Sequence, residues 1–189
     1  MFVGASVTEG YYASDVDHAY PADTVDELRG RGVDVDPIVV GRAGSGTAEV
    51  LTWRLEGKPD AIILQIATND FGRNLSLARY RANYWAILQG LRALGPNARL
   101  LCLSGWRDPK QVNESGVTGG QFNEVTDQAC RAFRGHFVNL GPLYLDSKNH
   151  GPKGHETDYG AADYFHPNDR GHAAIAKLVV TNLGPLPSG

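Results

Sequence analysis

The chain carries only two cysteines, Cys102 and Cys130, in 189 residues. They form no closely spaced pair, so no zinc ribbon, redox motif or dense disulfide framework is encoded. Both are expected to be small buried hydrophobes that stay unpaired. Long apolar runs are missing too. No stretch approaches the roughly 18–20 residues that a membrane span requires. There is no basic excess: 18 Lys+Arg stand against 21 Asp+Glu, for a net charge of −3 and a pI near 6.0. That points away from a nucleic-acid partner. Neither Gly-Lys-Ser/Thr nor G-x-G-x-x-G spacing occurs, which weakens any nucleotide-cradle reading. Internal repeats and low-complexity tracts are absent.

What is present is an ordinary globular composition. Hydrophobic residues make up 42% and charged residues 21%, which excludes disorder as the main state. Residues 1–189 are read as one domain, long enough for a real core. Only Met1, Phe2 and Val3 precede Gly4 in the first strand, against a usual strand of about 5–6 residues. The natural chain is therefore expected to start earlier, and this end gives no reading of compartment.

Strand and helix patterns alternate. After the opening run, "AYPADTVDELRGRG" reads as a helix with Pro21 in its first turn and Gly30 and Gly32 at its stop. "PIVVG" reads as a buried strand. "GTAEVLTWRLEG" places Val50, Leu51, Arg54 and Leu55 at helical spacing, with Gly57 as C-cap. "DAIILQIA" is apolar almost throughout, as a parallel strand covered on both faces should be. Ser76 can cap a helix whose apolar stripe is Leu77, Tyr80, Tyr84, Ile87, Leu88, Leu91 and Leu94. "ARLLCLSG" is a fourth strand. "QFNEVTDQACRAFRG" is a helix with Phe122, Val125, Ala129 and Phe133 on one stripe. "HFVNLG" is a fifth strand, and a last helix runs from about Gly171 to Leu183. Five strands separated by helices imply an α/β fold: a parallel sheet with helices on both faces. Ligands of such sheets sit at the carboxyl ends of the strands. Two long connections, about 105–120 and 142–163, are expected to be functional or mobile.

Chemistry-bearing residues fall at that edge. Ser6 follows strand one. Alone it is an ordinary turn residue or a nucleophile, and a serine nucleophile needs a base and oxyanion donors. In "DYFHPNDRGH", Asp163 and His166 are spaced to meet within one turn, the carboxylate orienting the imidazole. Alone, that pair is equally a helix cap. "GRAGSGT" after strand two puts Gly46 near a helix start, as a backbone donor or part of a weak phosphate cradle. "ATND" after strand three offers the Asn69 amide as a donor or as an Asx turn. Nucleophile, base, orienter and two donors would not gather on one edge by chance.

Together these motifs resemble the SGNH hydrolases, the GDSL-type esterases and lipases, over the whole chain. "FVGASVTEG" is similar to the family's first block, "GRAGSGT" to the second, "ATND" to the third and "DYFHP" to the last. The resemblance implies a three-layer, flavodoxin-like α/β/α sandwich with strand order 2-1-3-4-5 and no metal or organic cofactor. It implies a triad of Ser6, His166 and Asp163, and an oxyanion hole of the Ser6 and Gly46 N–H groups and the Asn69 side chain. Ala5 stands where the family's aspartate would be, leaving the triad untouched. Ala67 replaces a glycine before Thr68-Asn69, so its methyl either narrows the cleft or goes with ordinary backbone angles.

The function so implied is a serine esterase acting on carboxylic esters. No long apolar surface helix offers a lipase-style interface, so short-chain or sugar-borne acyl groups are favoured. Lysophospholipase, thioesterase or acyltransferase activity on the same scaffold, and a non-catalytic carbohydrate-binding module, are the alternatives. Trp106, Arg107 and Tyr11 are candidate substrate contacts. For the first two, the plainer roles are packing on the sheet edge and pairing with Asp108. His150 and His155 lack a third metal ligand, and their polar loop is a candidate lid. His172 belongs to the start of the last helix. His18 and His136 have no assigned role, and oligomeric state is open.

Overall fold

The computed structural model describes residues 1–184. Five strands form one parallel sheet: β1 (Phe2–Gly4), β2 (Val39–Gly41), β3 (Ala61–Gln65), β4 (Arg99–Leu103) and β5 (His136–Val138). Their order is β2-β1-β3-β4-β5, and each pair is parallel, with Phe2 opposite both Val39 and Ile63, Ile63 opposite Leu101, and Leu101 opposite His136. The α/β sandwich and strand order expected from the resemblance are the ones found. The helices are α1 (Ser6–Glu9), α2 (Tyr20–Gly30), α3 (Thr47–Val50), α4 (Thr68–Gly72), α5 (Leu77–Leu94), α6 (Gly119–Ala132), α7 (Gly141–Leu145) and α8 (Asp169–Leu183). A two-stranded antiparallel hairpin, β6 (Glu156–Thr157) with β7 (Gly160–Ala161), projects from the long segment before α8.

Alternation along the strands sorts the core into two layers. Ile62, Leu64 and Cys102 face one side, where Tyr80, Tyr84 and Leu88 of α5 and Phe122 of α6 cover them. Ile63, Leu101 and Leu103 face the other, against Tyr20 and Val25 of α2 and Ile175 and Val179 of α8. Each fully buried side chain such as Leu64 or Leu88 contributes about 1.5–3 kcal/mol. α5 starts where the sequence marks it, since the Ser76 hydroxyl accepts the Arg79 N–H.

Three expectations need correction. Cys102 and Cys130 are joined in a disulfide, with Cα atoms 6.1 Å apart. α6 lies across the end of the sheet that includes β4, which brings together residues 28 apart in sequence. β2 is an edge strand with Val39 exposed, and so is not buried. α3 stops at Val50 instead of continuing to Gly57. The Thr52 hydroxyl and N–H both bond to the Glu49 carbonyl, closing the last turn. Trp53 then turns under the Arg42 guanidinium, 4.9 Å from the ring centre.

Candidate active site

Strand order reverses at β1, whose neighbours are β2 and β3, and the crevice at such a switch point is the natural ligand position. Ser6 begins α1 directly after β1. The approach is tight: a Cβ on Gly4 would lie 2.2 Å from the Thr8 hydroxyl and 2.3 Å from the Gln65 carbonyl. Only glycine lets the chain turn there and leave Ser6 at the helix start, where its N–H has no intrahelical partner.

Asp163 and His166 reach Ser6 from the far end of the chain. His166 Nε2 lies 3.1 Å from Ser6 Oγ, and Nδ1 lies 2.8 Å from Asp163 Oδ2. Asp163 Oδ1 also accepts the N–H groups of Phe165 and His166, at 2.9 and 2.7 Å. Partial burial alone would raise the Asp163 carboxyl. The bonds from the His166 backbone and ring outweigh it and hold the group below its ordinary value. An ionised Asp163 fixes the proton on Nδ1 and leaves Nε2 to accept from Ser6. The turn that carries this pair is anchored on both sides. Trp106 Nε1 donates to the Phe165 carbonyl at 2.7 Å. Gly171 packs where a Cβ would fall 2.1 Å from the Asn149 carbonyl.

The other two blocks follow β2 and β3, the strands on either side of β1, and are bonded to each other. The Asp70 carboxylate accepts both the N–H and the hydroxyl of Thr47, at 2.9 and 2.6 Å, and so clamps the loop after β2 to the one after β3. Burial raises the Asp70 carboxyl despite those bonds. One N–H of the Asn69 amide goes to the Ser45 carbonyl at 2.8 Å, and an amide nitrogen carries a second. The Gly46 N–H, by contrast, donates to Glu49 Oε2 at 2.7 Å, and Glu49 is paired with Arg73 at 2.9 Å.

A sequence profile of the GDSL-like lipase/acylhydrolase family matches residues 2–174. The chain belongs to this family. Like its relatives it is a carboxylic ester hydrolase. No curated protein matches it at the sequence level. Among solved structures, it is similar to an acetyl-xylooligosaccharide esterase from Geobacillus stearmophilus. The TM-score is 0.74 at 18% identity, covering 98% of this chain and 93% of that one. It is also similar to the psychrotrophic esterase EstA of Pseudoalteromonas sp., with a TM-score of 0.71, 14% identity, and 96% and 94% coverage. A two-domain esterase active on acetylated mannans matches with a TM-score of 0.72 at 17% identity. There the match covers 96% of this chain but only 47% of that one. At these identities the likeness is one of fold.

The family member's candidate substrate contacts divide. Trp106 is fully buried and packs on Tyr144, so it supports the His166 turn and offers a substrate no surface. Arg107 does not pair with Asp108. Its guanidinium lies 4.0 Å over the Phe71 ring and donates to Gln111 at 2.8 Å, and burial lowers its pKa. Tyr11 does stand at the site, its ring centre 5.3 Å from that of His166. Reading by motif missed Tyr12, 4.9 Å from the same imidazole and at φ 64, and Tyr159, whose tilted ring packs on Tyr11 at 4.3 Å. The tyrosine pair in "EGYY" was the available signal. The segment read as a lid is tied down: Tyr159 Oη donates to the Glu9 carbonyl and the Asp158 N–H to that of Ala13. His150 stacks on Tyr144. Among the described residues no group of His, Cys, Asp and Glu could hold a metal ion, and no helix is long and apolar enough to cross a membrane.

Proposed function

We propose that the protein hydrolyses esters of short or sugar-borne acyl groups through a Ser6–His166–Asp163 triad. One observation carries the reading: the Ser6 hydroxyl, both His166 nitrogens and the Asp163 carboxylate form an unbroken hydrogen-bonded chain at 3.1 and 2.8 Å. Ser6 Oγ attacks the ester carbonyl carbon as its proton passes to His166 Nε2. The carbonyl oxygen becomes an oxyanion, held by the Ser6 and Gly46 N–H groups and the Asn69 amide. His166 then gives the proton to the departing alcohol, leaving an acyl-Ser6. Water attacks that ester as its proton passes to His166; the second tetrahedral intermediate then breaks its bond to Ser6 Oγ, which takes the proton back from His166, and the carboxylic acid departs.

A small acyl group is favoured by the recess beside Ala67. Lined also by Phe71, Gly105 and Arg107, it has about 10 Å³ of space, no more than a single water fills, so it offers a long acyl chain no channel. A sugar alcohol is favoured by the aromatic wall of Tyr11, Tyr12 and Tyr159 on the His166 side. A groove of about 550 Å³ among the described residues lies at the opposite, amino ends of the strands and includes Met1, Ile38 and Asp60. It has no part in the mechanism. The test compares p-nitrophenyl acetate, p-nitrophenyl octanoate and acetylated sugars, with Ser6→Ala as control. Acetate and acetylated sugars should be turned over fastest, and Ser6→Ala should abolish turnover. Full activity in Ser6→Ala would sink the mechanism, and a preference for octanoate would sink the substrate class.

A further inference from the structure

The weak point of this hole is Gly46. Its N–H must reach the oxyanion, yet here it is directed at Glu49 Oε2, 2.7 Å away. We infer that Glu49 is an internal competitor for the oxyanion donor, holding the hole part-closed until the oxyanion that forms on the substrate displaces it. The inference rests on the proposed triad and concerns how that site is regulated.

The geometry favours competition over a passive contact. A carboxylate oxygen on a backbone N–H is a charge-assisted bond, stronger than a neutral ester carbonyl can make with the same donor. Only the oxyanion of the tetrahedral intermediate matches it in charge. Glu49 is also held in place. Arg73 Nη1 pairs with its Oε1 at 2.9 Å while Arg73 Nη2 bonds the Gly44 carbonyl, so one guanidinium clamps the carboxylate to the loop it blocks. The opposing fact is exposure: the Glu49 side chain keeps 45% of its surface and that of Arg73 54%. Solvent screens the pair, and the carboxylate has water to swing into. Glu49 is therefore a gate that opens at modest cost, and the apparent specificity constant is reduced by the closed fraction.

A second role is available to the same contact. Glu three residues after an N-cap completes a capping box, and here it would merely start α3. The two roles predict opposite orders. A cap accepts Glu or Gln and is damaged by Ala. A competitor is weakened by Gln, which has lost the charge, and removed by Ala. The experiment is kcat/KM on p-nitrophenyl acetate for wild type, Glu49→Gln and Glu49→Ala, with the Ki of a small alkylboronic acid whose tetrahedral Ser6 adduct fills the oxyanion hole. We expect kcat/KM to rise in the order Glu, Gln, Ala, by about tenfold overall, with boronate Ki falling in parallel. An order of Glu equal to or above Gln and Gln above Ala, or no change across the series, overturns the inference. If Glu49→Ala fails to fold, Glu49→Gln decides, by rising above wild type or not. A wild type with no Ser6-dependent turnover would instead count against the esterase mechanism itself, so the two failures are distinguishable.

Discussion

Acidification should destabilise this protein through one buried histidine. His172 is fully buried in the first turn of α8. Its Nδ1 accepts the Tyr20 N–H and its Nε2–H donates to the Tyr11 carbonyl, both at 3.2 Å. Both nitrogens are used, and only the neutral ring fits. A proton on Nδ1 would set a donor against a donor with no water between them. Burial accordingly lowers the pKa from 6.5 to about 4. Since the folded value lies below the unfolded one, the unfolded chain binds the extra proton in that interval. The stability His172 contributes is complete above about pH 6.5 and drains away as pH falls toward 4. At about 1.36 kcal/mol per pH unit the whole difference is about 3 kcal/mol, a large share of a typical total of about 5–15 kcal/mol. No discount for solvent applies to a ring with 0% exposure. Urea unfolding of wild type and His172→Gln, from about pH 7 to pH 4, measures it, because the amide can donate and accept but does not titrate. Wild type should lose about 3 kcal/mol more than the variant over that range. In proton NMR, one of the six imidazoles should stay silent down to about pH 5. Parallel losses in the two proteins, or six histidines titrating together between pH 6 and 7, would refute the reasoning. The same tie matters to the site, because the Tyr11 N–H bonds the Ser6 carbonyl at 2.8 Å.

On the proposed mechanism Asn69→Ala removes one oxyanion donor and should lower kcat by about 10²–10³ with KM little changed; steady-state kinetics on p-nitrophenyl acetate checks it. Trp106→Phe removes the bond to the Phe165 carbonyl and should cost about 1 kcal/mol in urea unfolding. Because the His166 turn loosens, kcat should fall severalfold, whereas an unchanged kcat would mean that Trp106 only fills space. Tyr84 is fully buried, and its hydroxyl has no hydrogen-bond partner among the described residues. Tyr84→Phe should therefore be neutral or stabilise by up to about 1 kcal/mol, read as a rise in Tm, and a clear fall would reveal a partner for that oxygen.

The sheet was legible because its strands are short apolar runs bounded by glycine or helix caps. α5 was legible because Tyr80, Tyr84, Leu88 and Leu91 repeat at helical spacing on a face that is in fact buried. Motif reading also found the residues that gather at the carboxyl edge, since Asp163 and His166 are close in sequence and Ser6 follows a strand. What stayed hidden depends on contacts between distant segments. The Cys102–Cys130 bond exists only because α6 crosses β4. For Trp106 the sequence left a cleft role and packing on the sheet edge both open, and its bond to the Phe165 carbonyl, which anchors the His166 turn, depends on the fold. The stop of α3 at Val50 goes with a tightened last turn, in which the Thr52 hydroxyl and N–H both bond the Glu49 carbonyl, against an otherwise helical pattern. The Gly46–Glu49 contact did have a local signal, an N-cap position followed three residues on by glutamate, but its meaning depends on what else needs that N–H.

Ala67 carries the last prediction, since it sets two expectations against each other. The family's glycine at this position has been replaced, and an alanine would be expected either to adopt ordinary angles or to crowd the cleft. The angles are not ordinary: φ is 121° and ψ −26°, a region that L residues avoid. Ala67 therefore keeps a glycine-type backbone and bears the strain, about 1–3 kcal/mol for such a residue. It is held there because Thr68 and Asn69 must follow β3 directly into α4, and the Ala67 carbonyl accepts the Phe71 N–H at 3.0 Å. The methyl is buried and lines the recess of about 10 Å³. Ala67→Gly releases the strain and gives back about 0.5–1 kcal/mol of chain entropy to the unfolded state. The net expectation is a gain of about 1 kcal/mol. In the same variant the recess widens by one methyl, so the ratio of butyrate to acetate turnover should rise, by less than the roughly 10–200-fold that one methylene can command in a closed pocket. Thermal unfolding and the two ester rates read the two effects separately. A lower Tm would mean that the alanine is not strained. An unchanged ratio would mean that the acyl chain lies elsewhere, and would take away the main support for a short-acyl substrate while leaving the Ser6–His166–Asp163 arrangement untouched.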